Sequence, residues 1–319
     1  MKVVRQMVPL LAAIIILLLL FRIWVPTFLS PENMLDLTQQ ISVNTILALG
    51  MTLVILIGGI DLSVGAMVAL VGTTTVYCLS AISGDTQNTG YLLLSILVGL
   101  GVASLFGIFH GIAAAKTAMP PFIITLASML IARGCALRFN SGLPISIGDQ
   151  QTFLLAIGNG RLFDVVPVPV VIMLTLFVLM ALLLHRTRFG QHVYALGGNR
   201  EAALYTGIPV VRVEVMVYLI CSVLAGIAGM IHTSQLYSAE PGSGEMFELT
   251  AIAAVVVGGT SFTGGRGTIF GTLIGAVIIG ILDKGLNQAG IHYSLQYIVK
   301  GAVILIAVYI DVRRNRSTV

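Results

Sequence analysis

Charge is what this chain has least of. Asp, Glu, Lys and Arg together make up 9% of its 319 residues, where soluble globular domains carry about 25%. So few charges cannot cover a water-facing surface, which excludes an ordinary soluble protein. The net charge of +4 comes from basic residues scattered between apolar runs. They form no dense patch, and nucleic acid is excluded as a partner. Cysteine is scarce too. Cys78, Cys135 and Cys221 lie far apart within apolar segments, with neither the spacing of a metal site nor that of a disulfide framework, and they read as small buried residues.

The motifs of common chemistries are also missing. Gly259-Thr260-Ser261-Phe262-Thr263-Gly264 starts like a phosphate-binding loop, but Gly265-Arg266 follows where Lys and a hydroxyl residue are required. The chain is therefore expected to bind no ATP, no other cofactor and no metal, and to have no catalytic residue. No zinc-helix motif or nucleophile elbow occurs. His110 and His232 stand alone near the ends of apolar runs and read as hydrogen-bonded packing residues. No paired carboxylates or histidine chain suggest proton coupling. Asn315-Arg316-Ser317 resembles a glycosylation sequon, but it lies in a tail expected on the cytoplasmic side and carries no meaning there.

Apolar residues are abundant, at 57% of the chain. They cluster in runs near the length of about 20 residues that a membrane helix requires. Candidate spans fall at 7–26, 41–58, 62–82, 91–115, 120–138, 166–185, 213–235, 246–258, 267–283 and 293–311. The expected fold is an all-α polytopic membrane protein of about ten transmembrane helices, a single transmembrane domain over 1–319. The first run continues past Phe21 to Trp24 with no small-residue cleavage site, so it reads as a retained span and not a signal peptide. The run 246–258 is short for a crossing. The alternative is a broken or re-entrant pair over 246–283, turning at Gly258-Gly259.

Loop charge sets the orientation. With the N-terminus in the cytoplasm, that side holds Lys2, Arg5, Lys116, Arg186, Arg188, Arg200, Arg212 and Arg266, whereas acidic residues such as Glu32, Asp36, Asp85, Asp149, Glu240 and Glu245 gather on the other. Both termini are then cytoplasmic. Small residues recur every fourth position at Gly99, Ala103, Gly107 and Gly111, and again at Gly267, Gly271 and Gly275. This spacing suits close helix packing. A weak internal echo sets Gly58-Gly59 beside Gly258-Gly259, each pair followed by a hydroxyl-bearing turn.

The most informative segment is the basic loop 186–212, read as a cytoplasmic coupling loop. Arg200, Glu201, Ala202 and Ala203 open a short helix, Gly207 can close it in a left-handed conformation, and Pro209 forbids continuation. Such a helix is either a docking handle for a partner that drives the membrane helices or an ordinary connector. Several polar residues sit in or beside apolar runs. Asp61, with Ser63 and Gly59, reads as the N-cap of the third span or as a gate at the cytoplasmic mouth. Asn44 and Thr125 either join helices or line a path. Glu248 could face an outer cavity.

The stretches Gly50-Met51-Thr52-Leu53-Val54-Ile55, Gly58-Gly59-Ile60-Asp61-Leu62-Ser63-Val64-Gly65, Phe122-Ile123-Ile124-Thr125-Leu126, Arg186-Thr187-Arg188-Phe189-Gly190, Tyr194-Ala195-Leu196-Gly197-Gly198-Asn199 and Ala251 through Ser261 resemble, in order, permease subunits of bacterial ATP-binding-cassette importers of the ribose type. The resemblance implies a multi-pass protein of the bacterial cytoplasmic (inner) membrane that imports a small sugar. It implies partners as well: a cassette ATPase holding ATP and Mg, a second permease copy or paralogue, and an extracytoplasmic sugar-binding protein. It assigns Glu201 to Gly207 to the ATPase-docking signature. An ion-gradient-driven secondary transporter is the alternative, and a membrane enzyme a weaker third reading.

Overall fold

A computed structural model describes residues 2–83, 88–117, 119–148 and 152–316. Asp85 and Asp149, which figured in the loop-charge reading, and Ser317 of the sequon-like triplet lie outside these. The chain folds almost wholly into helices: α1 (Lys2–Trp24), α2 (Pro31–Leu56), α3 (Val64–Ser83), α4 (Thr89–Lys116), α5 (Pro121–Arg138), α6 (Thr152–Asn159), α7 (Val168–Arg186), α8 (Arg188–Gly198), α9 (Arg200–Tyr205), α10 (Val210–Gln235), α11 (Phe247–Val257), α12 (Ile269–Gln288) and α13 (Tyr293–Arg316). Two-residue strands β1 (Ile145–Ser146) and β4 (Ser238–Ala239) pair antiparallel, as do β2 (Arg161–Leu162) and β3 (Val166–Pro167). Among the described residues, seven helices are long and apolar enough to cross a membrane. Val8–Trp24, Phe247–Val257 and Tyr293–Tyr309 are shorter apolar helices.

Local chemistry explains the helix ends. Ser30 caps α2 by accepting from the Asn33 N–H, with Pro31 in the first turn; Asn88 caps α4 through Gly90 and Thr268 caps α12 through Gly271. Helices α2 and α11 both terminate in a left-handed glycine, Gly58 at φ +80° and Gly259 at φ +89°. At the first, Gly58 N–H donates to Ile55 O and Gly59 N–H to Val54 O. At the second, Gly259 N–H donates to Val256 O and Thr260 N–H to Val255 O. These are two copies of one helix-ending motif. The internal echo is therefore structural, but its register differs by one residue from the glycine-pair alignment: Gly58 corresponds to Gly259 and not to Gly258.

Helix α10 runs through the centre and packs on α2, α3 and α4, while α11 and α12 pack on each other and on α2. The small-residue stripes make these approaches possible. A Cβ on Gly107 would meet the Leu219 backbone, one on Gly111 the Val215 backbone, and one on Gly275 the Ala254 carbonyl. Helix α3 begins deep inside the bundle. Gly229, against which Val68 packs, lies about 28 Å along α10 from Val210 at 1.5 Å per residue, yet Val68 belongs to the first turns of α3. The segment 57–63 thus climbs into the protein before the helix starts.

Two sequence expectations need correction. Helix α2 starts at Pro31, not near 41; its first turns carry Asn33, Asp36, Gln39 and Gln40, whose polarity imitates a loop although they serve internal contacts. Of the cysteines, only Cys221 is buried, and Cys135 is exposed on α5. An apolar run does not by itself separate core positions from positions facing lipid.

Candidate functional site

The basic loop folds into two helices. Thr187 caps α8 by accepting from Gly190 N–H. Asn199 then breaks the chain in an extended conformation and caps α9, its Oδ1 accepting from the Ala202 N–H at 2.9 Å. Gly207, at φ +80°, closes α9, and the Ile208 N–H donates back to Ala203 O. Ala203 is buried beneath the short helix, whereas Leu204 is 57% and Tyr205 88% exposed. Arg200 Nε donates to Glu214 Oε1 of α10 at 2.9 Å. That hydrogen bond, reinforced by the carboxylate charge, holds the guanidinium pKa above its ordinary value despite some desolvation.

Helix α8 ties this loop to both helix-ending turns. Tyr194 Oη donates to Gly267 O at 2.7 Å, and burial pushes its phenol pKa up. A Cβ on Gly197 would collide with Leu56 O and Gly265 N, and the Gly265 N–H itself donates to Leu56 O at 2.8 Å. Asp311 of α13 accepts from Ser261 Oγ at 3.1 Å and from the Phe262 N–H at 3.2 Å. The end of α2 and the turn between α11 and α12 therefore meet on α8.

At the other end of the bundle a cavity of about 500 Å³ opens between α2, α10, α11, α12 and α13. Carboxamides dominate its wall: Gln39, Gln40 and Asn44 from α2, Asn159 from α6, Gln235 from α10, Asn287 from α12 and Gln296 from α13. Phe247 and Tyr297 add ring faces. The basic group on the wall, Lys300, lies 3.0 Å from Asp283. Just outside the wall, Lys284 Nζ donates to Asn33 O at 3.1 Å and lies 4.0 Å from Asp36. Three carboxylates share the wall: Asp283 and Asp36 have the lysine partners just named, and Glu245 adds a further acidic group. Amides that both donate and accept, with aromatic faces and acceptor carboxylates, suit a hydroxyl-bearing solute without negative charge.

Residues 33–308 match the family described as branched-chain amino acid transport system / permease component. The chain belongs to this permease family. It is 45% identical over 301 residues to ribose import permease protein RbsC of Bacillus subtilis, covering 94% of this chain and 91% of that protein. It is 42% identical over 307 residues to the Escherichia coli K12 ribose import permease protein RbsC (96% and 93% covered), and 38% identical over 287 residues to the D-allose transport system permease protein AlsC of the same strain (89% and 84% covered). No solved structure matches the chain. Family membership makes it a multi-pass permease component of the bacterial inner membrane and not an enzyme.

The permease distributes the sequence candidates over three places. Arg200, Glu201, Ala202, Ala203 and Gly207 all lie in or directly after α9. Asn44 lines the cavity. Glu248 is not among the cavity-lining residues; its Oε2 turns towards Gly65 of α3. Asp61, Ser63 and Thr125 gather at a third place, away from the cavity. Asp61 Oδ1 accepts from the Ser63 N–H at 2.9 Å and from Ser63 Oγ at 2.6 Å. Thr125 Oγ1 accepts from the Leu62 N–H at 3.2 Å and donates to Ile60 O at 3.1 Å. Asp61 thus acts two residues ahead of the cap position, through an Asx-type turn that fixes Ser63 at the start of α3. Its second oxygen is 3.8 Å from His110 Nδ1. The lone His110 is fully buried, and its ring nitrogens have no hydrogen-bond partner among the described residues, contrary to the expectation that it is hydrogen-bonded in the packing.

Several functional candidates escaped sequence reasoning. Tyr194 and Gly197 lay inside a stretch noted only for its resemblance. Leu204 and Tyr205 fall inside the Glu201–Gly207 stretch that the resemblance assigns, but only their exposure shows that they, and not the buried Ala203, face outward. The carboxamides of the cavity come from five helices, and no spacing along the chain links them.

Proposed function

We propose that this permease is the membrane subunit of an ATP-driven, binding-protein-dependent importer of a small sugar of the pentose or hexose type. The observation that carries the proposal is similarity over nine-tenths of the chain to ribose permeases, joined by an allose and a xylose permease. The carboxamide-lined cavity is the solute path and suits a neutral polyol. The α8–α9 segment within 186–212 is the coupling loop on which a cassette ATPase docks, with Arg200, Glu201 and Gly207 shaping it and Leu204 and Tyr205 presented outward. ATP and Mg belong to that partner. A second permease copy or paralogue completes the channel, and a soluble sugar-binding protein delivers solute at the cavity end.

The coupling loop then faces the cytoplasm, with both termini on that side, as the basic residues around α7 and α8 favour. The seven long helices with α1, α11 and α13 give ten crossings of one permease domain spanning 1–319. Helix α11, only 11 residues long, crosses with the help of the loop before it. On ATP binding the docked ATPase moves α8, and α8 moves the cytoplasmic ends of α2, α11 and α12 as a unit, switching access to the cavity. No covalent chemistry occurs in this chain. An ion-gradient mechanism is not favoured, because the similar proteins named above include ribose import and allose transport permeases. Uptake of radiolabelled ribose by cells carrying the permease with its ATPase and binding protein, against cells lacking the ATPase, tests the proposal. Loss of uptake without the ATPase is expected; undiminished uptake overturns it.

A further inference from the structure

Arg133 places a permanent charge within the apolar helix α5, between positions such as Leu130, Ile131 and Leu137 whose side chains are exposed on the outside of the bundle. An ionised side chain at such a place is unfavourable unless the protein supplies partners, and its partners then identify its task. Arg133 does not extend along the helix surface. Its Nη1 turns inward and donates to two backbone carbonyls, Pro241 O at 2.6 Å and Ser243 O at 2.7 Å. The carboxylates of Glu245 and Glu248 lie within its electrostatic reach. Pro241, Ser243 and Glu245 belong to the segment that leads into α11, and Glu248 lies in the first turn of that helix.

That segment needs an external clamp. Gly244 (φ +73°) and Met246 (φ +66°) are both left-handed, and Met246, at the N-cap position of α11, makes no side-chain cap. Left-handed backbone at a non-glycine residue is unfavourable on its own and persists only where surrounding contacts hold it. From one side α3 holds the loop: Gly65 and Gly244 pack so closely that a Cβ on either would strike the other's carbonyl oxygen. From another side Arg133 holds it through the two carbonyls. Directly after the clamped carbonyls come Glu245, Met246 and Phe247, and these line the cavity.

We infer that Arg133 is a positioning residue for the solute path. By gripping the carbonyls of Pro241 and Ser243 it fixes the loop whose next residues form one wall of the cavity. The inference rests on the cavity being that path. Both bonds leave one nitrogen, so the grip depends on its positive charge and on the reach of the arginine side chain; an ammonium on the shorter lysine chain keeps the charge with less reach, and an apolar chain makes neither bond.

The test uses the complete transporter in proteoliposomes, with ribose as the probe, and compares Arg133→Met and Arg133→Lys with the unaltered chain. Three quantities are read: ATP hydrolysis stimulated by loaded binding protein, ribose moved per ATP hydrolysed, and the maleimide reaction rate of the thiol introduced by Glu245→Cys in a chain whose three natural cysteines are replaced. Arg133→Met should retain assembly and hydrolysis but move about ten-fold less ribose per ATP, as expected for losing charge-assisted hydrogen bonds. The introduced thiol should change its reaction rate by a similar factor, with Arg133→Lys between. A ribose-to-ATP ratio and thiol reactivity equal to the unaltered chain in Arg133→Met overturn the inference. So does loss of assembly in both variants with unchanged thiol reactivity, which marks a role in folding alone. Failure of the unaltered chain to couple ribose to hydrolysis contradicts the importer reading instead, and the thiol rates still decide whether Arg133 holds the loop.

Discussion

Gly197 lies so close to Leu56 that any side chain at 197 would occupy the space of the Leu56 carbonyl oxygen. One residue is in α8; the other is the last of the central helix α2. Gly265, from the turn between α11 and α12, closes the same contact by donating to Leu56 O at 2.8 Å. Three backbone segments therefore meet with no side chain between them, an arrangement that transmits displacement because close-packed contacts do not compress.

Gly197→Ala should disturb this junction. The added Cβ meets backbone atoms that cannot rotate away, and overpacking of this kind costs about 1–3 kcal/mol. A lowered unfolding midpoint of the purified permease, together with reduced ribose uptake and retained ATPase binding, is the expected outcome. Unchanged stability and uptake would show that the junction is slack.

Tyr194→Phe removes the hydrogen bond to Gly267 O and should cost about 1 kcal/mol. The phenol's pKa is raised by burial. Its neutral, donating form is therefore fully present below the ordinary tyrosine value, and its contribution is lost only as pH rises through the still higher folded value. The stability difference between Tyr194→Phe and the unaltered chain should stay constant across neutral and mildly alkaline pH. A difference that vanishes there would mean that the hydroxyl is ionised or unpaired.

The exposed tip of α9 should dominate ATPase docking. Tyr205→Ala is expected to weaken the complex by on the order of 2 kcal/mol, the scale of an aromatic anchor. Ala203 is buried, so Ala203→Ser should act through the permease's own stability and leave affinity nearly intact. Pull-down titrations in detergent separate the two. The paired change Glu201→Arg with Gly207→Val should abolish ATP-driven uptake while membrane insertion remains normal. Asn199→Ala should fray α9, with a cap loss of about 0.5–2 kcal/mol, and weaken docking without touching any docking side chain.

Asn44→Leu in the cavity wall should have the opposite signature. ATPase binding should be normal, while ribose uptake falls because an amide that can pair with a hydroxyl is replaced by an apolar group. Uptake equal to the unaltered chain would remove Asn44 from the path.

Legibility in the sequence varied with the kind of interaction. The helical membrane class followed from the lack of charge, and α9 followed from Glu201, the two alanines and Gly207, because propensity and glycine stops are local properties. The start of α2 was hidden because Asn33, Asp36, Gln39 and Gln40 serve Lys284, Gln288 and the cavity, all distant in sequence. Asp61 reads in the sequence as a cap or a gate, whereas it bonds Ser63 one step before the helix; its approach to His110 depends on α3 beginning deep in the bundle, and no local pattern encodes that depth. The cavity was illegible for the same reason: its amides come from five helices, and only packing collects them. The glycine echo was visible, but its true register appeared only with the φ angles of Gly58 and Gly259.

The most direct test of the whole account is ATP hydrolysis by the reconstituted permease and cassette ATPase, with and without sugar-loaded binding protein, alongside sugar accumulation in the same vesicles. The account predicts hydrolysis stimulated by the loaded binding protein, sugar accumulation that requires ATP, and loss of both in Glu201→Arg with Gly207→Val. Sugar accumulation driven by an ion gradient with no ATPase present, unaffected by that double change, would contradict it.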